Sequence, residues 1–397
     1  MLGKAGSIIM IVICQVCGMT LWFSATAAAG ALVAAGSLSG QQAGLLTGAV
    51  QLGFVAGTLA SALTGLADRL DPRRLFAAAT LVGAAANLCL LAAGFDSALT
   101  VALRFVTGAA LAGVYPVGMK MAAAWAERAV GLMIGTLVGA LTLGSSLPYL
   151  FNAVAGIDWR VTIAVSTACA LVAAAGILAI SLGPKHMQAS RFRFAEAFGA
   201  LRQRPVLLAN AGYLGHMWEL YAMWAWIGAF LAWALPQTGF RGNSGIVTFL
   251  VIASGAVGSV AAGLLADRFG RTVVTMGAMA ASGTCAAIIG LLPPLGAGAL
   301  ILVALVWGLT VVADSAQFSA CIAELAAPHL VGTMLTIQTS MGFLLTFLTI
   351  QAMPLVIAAL GWEHAFAVLA IGPALGVLAM WRLRHQPAAA RIAGGRR

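Results

Sequence analysis

Long apolar runs alternate with short polar bursts along the whole chain. A helix that crosses a bilayer needs about 20 apolar residues. Twelve stretches reach that length when the sequence is cut at charge clusters and at Gly, Pro and Ser punctuation: 7–35, 41–67, 73–94, 97–123, 130–154, 159–183, 206–235, 242–266, 272–292, 296–324, 330–358 and 362–383. Backbone groups in hydrocarbon must be satisfied internally, so each stretch is expected to be an α-helix. The first run follows Lys4, outlasts a signal peptide and lacks a cleavage site, which makes it the first span. One long polar connection, residues 184–205, falls at the middle of the chain. It reads as a basic, partly amphipathic linker held at an anionic lipid surface. The expected organisation is a six-helix unit over 1–183, the linker, and a second six-helix unit over 206–397 that ends in a short basic tail.

Composition narrows the function. The chain is 62% hydrophobic and 8% charged, where soluble domains carry about 25% charged residues. So little charge cannot solvate a globule of this size, and a secreted enzyme, a nucleic-acid binder and a disordered scaffold are all excluded. The net charge of +10 is not gathered on one face. With the N-terminus placed inside, 17 of the 21 Lys and Arg residues lie on the inner side, against Arg160 and Arg241 outside and Arg104 and Lys120 within spans. That asymmetry puts both termini in the cytoplasm of a multi-pass protein of the inner membrane. The six cysteines all fall in apolar runs, and the Cys14-x-x-Cys17 pair has neither a second pair nor a nearby His, so it reads as packing. No phosphate-binding Gly-rich loop, metal-ligand spacing or nucleophile–base set is present.

The two halves echo each other. Ala67-Asp68-Arg69-Leu70 and Ala266-Asp267-Arg268-Phe269 are 199 residues apart, and each ends an apolar span ahead of basic residues. Six spans plus six related by one offset describe a duplicated unit. The run Gly263-Leu-Leu-Ala-Asp267-Arg268-Phe-Gly270-Arg271 resembles the loop signature of the major facilitator superfamily, placed between the eighth and ninth spans. The first-half copy is degenerate, with Thr64 and Asp71 where the signature has glycines. The resemblance implies an all-α membrane fold of two pseudo-symmetric six-helix bundles. It also implies a gating role at the inner mouth for Asp267, Arg268, Gly270 and Arg271, and for Asp68 and Arg69 in the first half.

Four ionisable residues lie well inside the spans: Arg104, Lys120, Glu219 and Asp314. Such residues are costly in hydrocarbon and mark candidate function. In span seven, Tyr213, His216, Glu219, Met223 and Trp226 share one broad helix face, and in span ten Trp307, Thr310, Asp314 and Gln317 do the same. Gln15, Trp22 and Thr26 form a weaker stripe in span one. A carboxyl in a partly dry cavity can carry a proton near neutral pH, and a neighbouring imidazole can relay it. The expected proton-coupling groups are therefore Glu219 with His216, or Asp314, with a structural ion pair as the competing reading. Arg104 opens a run that resembles the fourth-span Arg signature of the superfamily. Tyr115 lies 11 residues on and is expected on the same face. The candidate substrate-binding residues are Arg104, Tyr115, Gln15, Trp22, Tyr213, Trp226, Trp307 and Gln317. Lys120 falls on the opposite face and is expected to reach the headgroups.

The Gly-rich fifth span, Gly131 to Pro148, resembles that of drug antiporters, although Ala140 stands where their proline is expected. The arginines of the family's nitrate carriers and the post-sixth-span sequence of its sugar porters are missing. The leading expectation is a secondary active transporter, proton-coupled, that moves a small polar or anionic solute inward. The alternative is proton-driven efflux of drugs or metabolites, with Trp22, Trp218, Trp224, Trp226 and Trp307 as an aromatic cage. A binding sensor is the third. The expected partners are a solute, protons and the lipid bilayer, with no nucleic acid, metal or cofactor, and a monomeric state.

Overall fold

The computed structural model describes the chain except residues 1, 35, 96, 126–129, 157 and 185–193, and except the side chains of 31, 34, 67, 68, 130, 194 and 195. The described residues form helices and turns. Along the first half these are α1 (Lys4–Ala34), α2 (Gly40–Thr64), the short α3 (Leu66–Arg69), α4 (Pro72–Ala93), α5 (Ala98–Leu111), α6 (Tyr115–Ala123), α7 (Val130–Ala155) and α8 (Trp159–Gly176). A short α9 (Phe194–Leu201) precedes α10 (Arg204–Gln237), α11 (Ser244–Phe269), α12 (Arg271–Ile288), α13 (Ala297–Val311), α14 (Ser315–Leu325), α15 (Val331–Ala365) and α16 (Ile371–Arg384). Ten described segments are long and apolar enough to cross a membrane. One of them, Pro328–Arg384, contains two crossings, because Gly361 (φ 70°) breaks α15. The polar-studded α10 supplies the remaining crossing, so the chain makes twelve.

Each expected span is matched by a helix within a few residues. The fourth and tenth are each broken, between α5 and α6 and between α13 and α14, at positions related by the repeat offset. At both breaks the backbone switches to i→i−3 bonds, such as Val114 N–H to Leu111 O at 3.0 Å and Ser315 N–H to Val312 O at 3.2 Å. Pro116 explains the first, since it has no N–H to continue the ladder.

Close crossings repeat as well. A Cβ on Gly108 would meet the Val50 carbonyl, and one on Gly308 the Val251 carbonyl. Bare backbone thus lets α2 cross α5, and α11 cross α13, at short range. The two halves meet along two seams, α7 against α11 and α2 against α15. In the first seam a Cβ on Gly135 would lie 2.8 Å from Ser259 O and one on Gly263 2.8 Å from Gly131 O. The glycine stripe of the fifth span is therefore a joint between bundles.

The starts of α1 and α4 and the residues after α8 share one face of the molecule: Leu2 N–H bonds Ala179 O at 3.1 Å, and Arg73 bonds Ile180 O at 3.1 Å. This is called the terminal face below, because Arg384 and the residues after it also lie there, packed on Thr272.

Candidate functional site

Among the cavities between the bundles, two lie on opposite sides of the middle of the molecule. The inner one, of about 390 Å³, reaches toward the terminal face, with Ala123 at the end of α6 and Met133 near the start of α7 in its wall. The outer one, of about 370 Å³, lies toward the opposite face, between Val33, Ala43, Asn152 and Asn243. A septum of aromatic rings separates them. Trp22, Phe23 and Phe54 from the first bundle interlock with Tyr221, Trp224 and Phe343 from the second, at centroid distances of 4.5 to 6.4 Å. Phe54, Tyr221 and Phe343 also floor the inner cavity. Tyr149, whose hydroxyl donates to Trp224 O at 2.8 Å, lines the outer one.

Tyr115 and Tyr213 stand in the inner wall, together with Lys120, Ser315, Ser319 and Thr339. Among the described lining residues Lys120 is the only charged one, and no carboxylate is present. That corrects the expected position of Lys120. The break before Tyr115 re-aims α6, so facing positions cannot be counted through from Arg104.

Arg104 lines neither cavity, because its side chain is drawn to oxygens on α1. It is fully buried, and its guanidinium donates to the carbonyls of Leu21 (3.0 Å) and Trp22 and to Ser24 Oγ (3.2 Å). It ties α5 to α1 immediately beside the septum.

The acids also differ from expectation. Glu219 is buried and accepts from Trp307 Nε1 at 2.6 Å and Ser282 Oγ at 2.8 Å, so α10 is bound to α13 and α12 within the second bundle. His216 pairs instead with Asp314, Nδ1 to Oδ1 at 2.9 Å, both 1% exposed. His216 Nε2 and Asp314 Oδ2 have no hydrogen-bond partner among the described residues. This pair sits just behind the inner wall, since Tyr213 precedes His216 by one turn and Ser315 follows Asp314.

Three further candidates lie away from the inner cavity. Gln15 is buried against Gly118 with neither amide atom bonded among the described residues. Trp226 lines the outer cavity and donates to Ile350 O at 3.1 Å. Gln317 accepts from Arg271 Nη1 at 2.8 Å. The five tryptophans do not assemble into a cage: Trp22 and Trp224 lie in the septum, Trp307 holds Glu219, and Trp218 donates to Val368 O at 3.2 Å.

At the terminal face, Arg271 grips Glu324 with two bonds of 2.7 and 2.9 Å. Glu324 also accepts from Ala393 N–H at 3.0 Å. Gly270 takes φ 92°, against Arg396 and Arg397, where a side chain would be strained and obstructed. Asp267 lies against Gly131 at the start of α7, across the bundle boundary, and Arg268 stacks its guanidinium over Phe269. Arg69 is exposed, while the Asp68 side chain lies outside the described residues, as do Lys185, Arg191 and Arg193 of the linker.

Residues that sequence reasoning passed over are the septum rings Phe54, Tyr221 and Phe343. A signal existed: the chain has only four tyrosines, and every one lines a cavity.

The sequence model of the Major Facilitator Superfamily matches residues 11–350. Among curated proteins, none matches the sequence. The fold is similar to that of the nucleoside transporter NupG, with TM-score 0.73, 14% identity, and 96% of this chain and 99% of that one covered. Its D323A mutant gives TM-score 0.74 and 15% identity over 95% and 99%. The proton:xylose symporter XylE, bound to 6-bromo-6-deoxy-D-glucose, gives 0.68 and 15% over 96% of each chain. With its duplicated six-helix bundles, its loop signature and this match, the chain belongs to the major facilitator superfamily, a multi-pass membrane transporter and not an enzyme.

Proposed function

We propose that the protein takes up a small polar or anionic organic solute across the cytoplasmic membrane by proton-coupled alternating access. The observation that carries this reading is the sign of the inner cavity: hydroxyls and Lys120 in its described wall, and no acid. NupG and XylE carry a nucleoside and, with a proton, xylose, so polar solutes suit this architecture.

In this reading units 1–183 and 206–397, joined by the linker 184–205, rock about the septum as a monomer. Both termini face the cytoplasm, because the basic residues crowd the terminal face. Tyr115 and Tyr213 contact solute, with Trp226 on its outer path. Trp22, Arg104 and Gln15 hold the first-bundle wall behind them. The His216–Asp314 pair carries the proton, adjacent to solute but out of water, and Glu219 with Trp307 is its secondary store. Asp267, Arg268, Gly270, Arg271 and Gln317, with Asp68 and Arg69 opposite, form the inner gate.

The test is uptake into proteoliposomes of labelled organic anions, neutral polar solutes and lipophilic cations, with and without an inward proton gradient. One anion or polar solute is expected to accumulate only with the gradient. Asp314→Asn is expected to abolish accumulation while leaving solute exchange down its own gradient. Transport confined to lipophilic cations, or accumulation undiminished in Asp314→Asn, would overturn the corresponding half of the reading.

A further inference from the structure

The chain does not run free after α16. It turns back, with Gln386 N–H on Leu383 O at 2.9 Å, and residues 387–397 fold onto the terminal face of the second bundle. Ala389 and Ile392 are fully buried there and join the main hydrophobic core. Just beyond Ile392 the backbone takes positive φ at Ala393 (52°) and Gly394 (60°), and Arg397 N–H returns to Ile392 O at 3.1 Å. A non-glycine residue holds such a φ only where its surroundings fix it.

Those surroundings are the loop between α11 and α12. Ala393 N–H donates to Glu324 Oε2 at 3.0 Å, and the same oxygen accepts from Arg271 Nε at 2.9 Å. The Arg397 carbonyl accepts from Thr272 N–H at 3.3 Å and from Thr272 Oγ1 at 3.0 Å, while Arg384 donates to that hydroxyl at 3.1 Å. Gly270 faces the carbonyls of Arg396 and Arg397 so closely that a Cβ would not fit. The tail thus grips Gly270, Thr272 and the partner of Arg271 together. One turn earlier on α11 stands Asp267, whose carboxylate lies against Gly131 of α7, in the other bundle. A segment with no residue in the loop signature is therefore built into the turn that carries the signature.

We propose that residues 387–397 are a positioning element of the inner gate: seated by Ile392, they hold the turn from α11 to α12 where Asp267 meets α7, and unseating them favours the inward-open state. This inference rests on the reading of Asp267, Arg268, Gly270 and Arg271 as that gate, and adds to it a part of the chain that the signature does not contain. A contact shifts a two-state equilibrium only as far as it differs between the states, so the two cavities must respond in opposite directions.

The test is thiol labelling in nanodiscs by a charged maleimide, which reaches both faces. Ser319→Cys reports the inner cavity and Thr248→Cys the outer one, with the chain lacking both as the blank. Ile392→Glu and deletion of 387–397 are expected to speed labelling at the inner position about fivefold, the bias of one hydrogen bond of ordinary net strength, and to slow it at the outer one. Ile392→Ala, a milder change at the same seat, is expected to move both rates the same way by less, and keeps the test readable if the harsher variants fail to fold. Asp267→Ala probes the gate itself. If it speeds inner labelling while the tail variants leave both rates unchanged, the tail inference falls and the gate reading stands. If no variant changes either rate, both fall. A rise at both cavities alike would mean that the tail only holds the second bundle together, and would overturn the proposal.

Discussion

A guanidinium has five donors and no acceptor, so inside a bundle it must find oxygens. Arg104 finds them on α1, at Leu21, Trp22 and Ser24. Its residue type and depth are plain in the sequence. Its partners are not, because backbone carbonyls carry no sequence signal. Replacing it with Met removes the hydrogen bonds that tie α5 to α1, and the expected loss is about 1–3 kcal/mol of stability, read as earlier thermal unfolding in detergent. Solute affinity of the folded fraction is expected to stay within about twofold, as the ordinary scatter of a substitution that touches no ligand. A tenfold loss of affinity at unchanged stability would restore Arg104 to the solute site. The same reasoning separates the acids. Spacing placed Tyr213, His216, Glu219 and Trp226 on one broad face, yet they have four different surroundings: the inner cavity, Asp314, Trp307 with Ser282, and the outer cavity.

At the scale of elements, helix positions followed from apolar run length, and the two loop copies show how local chemistry replaces a signature residue. Gly270 turns the chain at φ 92° to begin α12. Its counterpart Asp71 begins α4 as an N-cap instead, accepting from Arg73 N–H at 2.9 Å and from the Arg73 guanidinium at 2.7 and 3.1 Å. Arg73 in turn bonds Ile180 O, fastening α4 to the chain beyond α8. The Arg73 guanidinium holds the Asp71 carboxyl below the usual carboxylate range. A depressed folded value means that the cap stabilises fully above the unfolded value, about 3.9, and fades as pH falls through the folded one. Asp71→Ala is expected to cost about 1 kcal/mol at neutral pH. The gap between the melting curves of the two proteins should hold steady above about pH 4 and close below it, and a gap that persists unchanged well below that range would contradict the cap. The breaks in the fourth and tenth spans were less legible. Pro116 announces the first, whereas nothing in the type of Val312 or Ala313 announces the second.

For the whole molecule, the decisive contacts are those between bundles. Gly135 and Gly263 let α7 and α11 touch backbone to backbone, while Gly44 and Gly48 on α2 leave room for the side chains of Gln351 and Phe347 of α15. A leucine at Gly135 would drive its side chain into Ser259 O and hold the seam open. Gly135→Leu is therefore expected to reduce uptake at least tenfold and lengthen the distance between spin labels on α7 and α11, with helical content unchanged because each bundle keeps its own packing. Unchanged uptake and unchanged label distances would mean that the seam is not a working joint.

The sequence by itself determined the membrane environment, the number and placement of the crossings, the duplication and the family. All of these follow from run length, charge bursts and one offset, which are properties of order along the chain. It also singled out the ionisable residues in the spans, because any charge in hydrocarbon stands out. Only the tertiary structure decided that His216 meets Asp314, that Glu219 faces Trp307, that Lys120 and not Arg104 lines the inner cavity, and that Phe54, Tyr221 and Phe343 close its floor. Those pairings depend on which helix faces meet across the bundles and on how two mid-span breaks re-aim the half-helices after them. An apolar ring in an apolar run looks the same in sequence whether it faces lipid, core or solute, and packing alone tells these apart.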